Sequence, residues 1–176
     1  MGLWHALAWN VVPSTSEASG LISVSLRTVS DSVLRVYRIW HQLQHQVGVS
    51  GNLVACNIER TVNVSAGRSI PIEAVLTSTP PLSEDVTAHT GVLMPTVSIL
   101  RRYVRAFEEI VVNATPDVPC WQFDVPLSVV WDAGYDGADV EPLTLRAGEG
   151  MQVCTTSGAS DSVPNCLDVE FSEASS

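Results

Sequence analysis

Apolar and polar positions alternate with a period of two through much of the chain. In CLDVEFSE, Leu167, Val169 and Phe171 take one parity, while Asp168 and Glu170 take the other. WQFDVPLSVVW sets Trp121, Phe123, Val125, Leu127, Val129 and Trp131 on one wholly apolar face. GLISVSLRTV opposes Ile22, Val24 and Leu26 to Ser23, Ser25 and Arg27. IPIEAVL places Ile70, Ile72, Ala74 and Leu76 together, with Pro71 suited to an edge strand. Successive side chains of a strand point to opposite faces, so each segment predicts a half-buried strand. SGN (50–52), SAGRS (65–69), PDVPC (116–120), AGYDG (133–137) and AGEG (147–150) separate the segments as turns. Gly148 and Gly150 are the expected positive-φ positions of a tight turn or bulge.

Two segments fit either period. In residues 33–47, Leu34, Val36 and Trp40 share a parity that Arg38 interrupts, and Val33, Tyr37, Trp40 and Gln44 fit a helical stripe almost as well. In residues 96–112, Ile99, Tyr103, Ala106 and Ile110 lie near one helical stripe opposed by Arg101, Arg102 and Arg105. The β-branched content and the β context favour strands at both. TSTPPLSEDVTAHTG (77–91) reads as a contact loop longer than most. The expected fold is all-β: an antiparallel β-sandwich of jelly-roll type. Residues 1–176 form one domain in this reading, with residues 1–19 as a candidate N-terminal arm.

Composition sharpens the picture. Only 16% of the 176 residues are charged, against roughly 25% in soluble domains generally. Interfaces are depleted in Lys, Glu and Asp, so a subunit of a permanent assembly has this composition. The net charge is −10, and all nine basic residues are arginine. An acidic chain is repelled by phosphate backbones and anionic membranes, which argues against direct binding to either. The first twenty residues lack a basic stretch, and His5 and Asn10 interrupt their apolar run, so no signal peptide is expected. No run of 18 apolar residues predicts a membrane span.

Motifs for chemistry are sparse. Asp132, Asp136, Asp139 and Glu141 gather four carboxylates in ten residues, a weak calcium candidate without the spacing of an EF-hand. They serve equally as solvated turn residues. His5, His41, His45 and His89 are scattered and make no zinc motif. Cys154 and Cys166 flank a loop between two predicted strands and are a disulfide candidate across a hairpin; without a secretion signal, free thiols are the default. Trp4, Trp9, Trp40, Arg101 and Arg102 are the interface candidates. No nucleophile–base arrangement is evident, so no enzyme, cofactor or resident metal is expected.

The arc from Ile99 to Phe171 carries further signals: Leu100-Arg101-Arg102-Tyr103, Glu108-Glu109, Val129-Val130-Trp131-Asp132, Pro142 to Gly150 (PLTLRAGEG) and Val169-Glu170-Phe171. In these pieces the chain resembles a group of small β-rich virion structural proteins of tailed bacteriophages and environmental phages. The amino-terminal third departs from that group, and the 154–166 loop is specific to this chain. The resemblance implies a location in the virion and a non-enzymatic role as a capsid, decoration or tail subunit. Partners would be other virion proteins and copies of itself, with a trimer as the expected homo-oligomer. The alternative is a carbohydrate- or receptor-binding β-sandwich module that uses its tryptophans as a platform. Exposure of Trp40 or Trp131 beside the acidic loop would favour it.

Overall fold

The computed structural model describes residues 2–11, 21–27, 32–43, 53–62, 68–90, 96–106, 128–133, 141–155 and 165–175. Twelve strands occur among them. They are β1 (Gly2–Val11), β2 (Leu21–Arg27), β3 (Ser32–Leu43), β4 (Leu53–Val62), β5 (Arg68–Ile70), β6 (Ile72–Ala74), β7 (Thr87–Thr90), β8 (Thr96–Ala106), β9 (Ser128–Asp132), β10 (Leu143–Leu145), β11 (Glu149–Thr155) and β12 (Asn165–Ser175). The fold is all-β, and every pairing among the described residues is antiparallel. Both ambiguous segments contain strands, β3 and β8.

One sheet runs β10-β3-β12-β1-β6, with β9 also on β3; the second runs β5-β7-β2-β11-β4-β8. The first four strands alternate between the sheets. β12 lies between β1 and β3, and β11 between β2 and β4. β9 and β10 share one edge of β3, pairing with residues 38–41 and 34–36 respectively.

One apolar cluster draws on both sheets: Ala6, Leu34, Val36, Leu167, Val169 and Phe171 from the first, and Ile58, Ala88, Met151 and Val153 from the second. Alternation on β12 puts Leu167, Val169 and Phe171 in the core, as its sequence pattern requires. On β2, Leu26 is the ladder partner of Ala88 and Met151, while the side chains of β2 lie outside the described ones.

Several local expectations need correction. IPIEAVL is not one strand. Ile70 ends β5 in the second sheet and Ile72 opens β6 in the first, with Pro71 between them. Proline offers no N–H to a ladder, so the chain changes sheets there. Ile70 and Ile72 pack on the core, but Ala74 and Leu76 are exposed. The 77–91 segment is not all loop, because β7 lies within it. Its earlier part is tied to β12: Ser83 N–H donates to Glu173 Oε2 at 2.9 Å, and Leu82 packs on the core. A Cβ on Gly2 would lie 2.5 Å from Thr79 Cγ2, so that approach needs glycine. At β9 the inward parity breaks. Val129 is 46% exposed, while Val130 is buried and Trp131 packs on the core. Ile39 pairs with Trp131 and Trp40 with Val129, leaving Val130 as the extra residue of a bulge.

Gly148 has φ +79° in the turn from β10 to β11, where Glu149 N–H donates to Arg146 O at 2.9 Å. Gly150 is a buried ladder residue of β11, paired with Arg27 and Thr61. The hairpin placing Cys154 opposite Cys166 is absent. β11 and β12 belong to different sheets, and both thiols are buried and not joined in a disulfide. Of the strand expected at 121–131, residues 121–127 lie outside the described residues, as does the turn at 116–120.

Candidate functional site

The central strands β11 and β12 are buried on both faces, and on each the face away from the core is polar. On β12 that outer face carries Cys166, Asp168, Glu170 and Ser172. Register extends it into a charged row across five strands. Glu73 pairs with His5, His5 with Glu170, Glu170 with Arg38, and Arg38 with Asp132. Signs alternate along the row when His5 is protonated. His5 Nε2 is 3.7 Å from Glu73, its Nδ1 is 3.3 Å from Asp168 Oδ1, and Arg38 Nε donates to Asp132 Oδ1 at 3.2 Å. The neighbouring row is Leu7, Asp168, Trp40 and Val129. The Arg38 guanidinium lies 5.9 Å from the Trp40 ring centroid, within cation–π range.

Burial decides the electrostatics of β12. It pushes the Asp168 carboxyl up, against the opposing pull of His5. It pushes Glu170 up as well; Arg38 opposes this, while Asp168 and Asp132 add to it. Glu170 is 8% exposed, and its Oε2 has no hydrogen-bond partner among the described residues. The Cys166 thiol is pushed up to about 11 by burial and by the charge of Asp168, so it is protonated and unreactive near neutral pH.

A raised carboxyl pKa in the folded state favours folding below the unfolded value, and that contribution is lost as pH rises through the folded value. Ionised Glu170 therefore weakens the fold at neutral pH. Glu170→Gln is expected to stabilise dilute protein at pH ~7 by about 1 kcal/mol, the usual scale for an unsatisfied buried acceptor. The gain should vanish near pH ~4, where the carboxyl is protonated. Urea denaturation at both values checks this. A loss of stability at neutral pH would mean that attraction to Arg38 outweighs desolvation.

The second sheet aligns one row of ladder partners around a buried carboxylate. Ser69, His89, Ser25, Gln152, Glu59 and Ile99 are successive ladder partners. Glu59 is buried and accepts from Asn57 Nδ2 at 2.9 Å, Gln152 Nε2 at 2.8 Å and Thr96 Oγ1 at 2.5 Å. Burial acts to raise its pKa, but these donors and Cys154 together hold it below the ordinary value. With no ion-pair partner among the described residues, this buried charge is sustained by hydrogen bonds.

The structure brings together only some of the residues singled out by sequence. Asp132 is engaged by Arg38, and Glu141 is exposed; Asp136 and Asp139 lie outside the described residues. Among the described residues no three His, Cys, Asp or Glu side chains form a metal-holding group. Trp4 packs against the core, Trp40 belongs to the outer face of the first sheet, and the side chain of Trp9 lies outside the described ones. Arg101 and Arg102 are exposed on β8, the last strand of the second sheet among the described residues. β8 also exposes Val97 at 60% and Ile99 at 42%. Sequence reading missed His5 and Glu73 as members of the charged row. Their outward parity is legible, but their alignment with Glu170 depends on which strands become neighbours.

Both rows hold strands together and present charge. Neither sets a nucleophile against a base among the described side chains. Comparison with protein-family models, with curated proteins and with solved structures finds no match to this chain.

Proposed function

We propose that the chain is a virion structural protein, a jelly-roll β-sandwich that packs against copies of itself and other virion proteins on a capsid or tail. The observation that carries this reading is the strand connectivity. Insertion of β12 between β1 and β3, and of β11 between β2 and β4, follows the order in which a jelly roll winds. β9 and β10 together would complete one four-stranded face, and β8 the other. β5, β6 and β7 then extend two edges.

Jelly rolls serve viral capsids, lectins and cupins alike, so surface features must choose among them. Trp4 and Trp131 pack on the core, and Arg38 lies over Trp40, which does not favour an open aromatic platform for sugars. β8 favours assembly: among the described residues it is an 11-residue strand at a sheet end, with exposed Val97 and Ile99. Long apolar edges invite pairing or covering by another chain. Low charge content agrees with burial in interfaces.

Mass spectrometry of purified particles from the encoding phage tests the reading. The protein is expected in fixed, multi-copy stoichiometry with the major virion proteins. Its absence from particles, with abundance in the infected cell, would overturn the assignment.

A further inference from the structure

The charged row of the first sheet changes sign at every strand: Glu73 on β6, His5 on β1, Glu170 on β12, Arg38 on β3 and Asp132 on β9. His5 carries its sign when protonated. Two more rows lie on the same outer face. Leu7, Asp168, Trp40 and Val129 form one, and Leu3, Ser172, Arg35 and Thr144 form the other. Leu7 is 39% exposed and Val129 46%, and Arg35 is exposed as well. A face whose charges alternate at a fixed strand interval can be complementary to itself.

Two copies of such a face stack about a twofold axis that lies between them, parallel to the strands. The position of the axis decides which strands meet. An axis over a strand sets that strand against its own copy. Over β12 it would put Glu170 on Glu170, and over β3 Arg38 on Arg38, and like charges so opposed are costly. An axis between two strands shifts the row by one, and each charge then meets the opposite sign. Between β1 and β12 the shift puts Leu7 on Asp168 and leaves Val129 outside the contact. Between β12 and β3 it puts Leu7 on Val129, His5 on Asp132, Arg38 on Glu170 and Arg35 on Ser172. Axes nearer either edge engage fewer strands. The axis between β12 and β3 is therefore the one that matches apolar and charged positions together.

We infer that two copies stack the outer faces of their first sheets about a twofold axis between β12 and β3. The contact rests on the reading of the chain as an assembling subunit. It is isologous, so every pairing occurs twice. Glu170 is nine-tenths buried within its own copy, so the touching groups are the more exposed flanks, Leu7 with Val129 and His5 with Asp132. Arg38 acts on Glu170 of the other copy through its charge. A twofold contact closes on itself, and a larger assembly then joins such pairs through other surfaces.

Leu7→Lys and Val129→Asp test the register. Both positions are exposed, so each variant is expected to melt with the wild type; Leu7→Arg or Val129→Glu replaces one that does not. In a pair of identical variant copies, a charge faces an apolar partner at both symmetry-related sites. Association measured by sedimentation equilibrium should fall by roughly tenfold or more for each variant alone. A mixture of the two variants should recover it, because at one site a lysine then faces an aspartate and at the other Leu7 still meets Val129. Wild-type association by either variant alone, or a loss that mixing does not reverse, overturns this contact while leaving assembly through another surface intact. A wild-type chain that stays monomeric at every concentration overturns both.

Discussion

Phe171→Ala is expected to cost about 3–5 kcal/mol, the range for removing a buried aromatic side chain. That is a large share of the roughly 5–15 kcal/mol that stabilises a typical domain. The position explains the magnitude. Phe171 is fully buried on β12, the strand that pairs with both β1 and β3. Its ladder partners are Trp4, itself packed on the core, and buried Val36. Truncation would leave a void that ladders on both sides prevent from collapsing. Urea denaturation should show a much lower midpoint with an unchanged slope. A loss below about 1 kcal/mol would mean that the site repacks freely or is not interior.

Gln152→Ala is expected to cost about 2–3 kcal/mol, because it removes a buried donor to a carboxylate. Gln152 is fully buried, and its amide donates to Glu59 Oε2 at 2.8 Å. Asn57, Thr96 and Cys154 would remain as donors to a charge with no ion-pair partner among the described residues. The pH dependence has a definite sign. A carboxyl held below its ordinary value stabilises the fold above the unfolded pKa, and that stability is lost as pH falls through the folded value. The penalty of Gln152→Ala should therefore shrink below pH ~4, as Glu59 becomes protonated. A pH-independent Gln152→Ala penalty would assign the loss to packing rather than to the carboxylate. Glu59 and Glu170 thus act in opposite directions, so acid weakens one sheet's polar row while relieving the other's.

Where a strand lies in the core and runs without a bulge, its sequence alternation is easy to read. Leu167, Val169 and Phe171 show this on β12. β3 was harder because its register shifts: Leu34 and Val36 face inward, then Ile39 does, with Tyr37 skipped beside the Glu170/Phe171 step. Inward spacing of two and then three blurs a period of two toward a helical one. β8 was ambiguous for another reason. At a sheet edge with exposed Val97 and Ile99, burial does not impose alternation. Bulges against β4 shift its register further. β9 hid its bulge because Val129, Val130 and Trp131 are all apolar, so hydrophobicity could not say which two face inward. The charged row was less legible still. His5, Glu73, Arg38, Glu170 and Asp132 come from five strands, and only the sheet order aligns them. The Cys154–Cys166 bridge failed on the same point, since neighbours in sequence entered different sheets.

The central claim is that this chain works by assembling. Light scattering after size exclusion, on wild-type protein over a wide concentration range, tests it most directly. The account predicts a mass several-fold above the 18.9 kDa of one chain, held as a discrete species or growing with concentration. A mass of one chain at every concentration would contradict it.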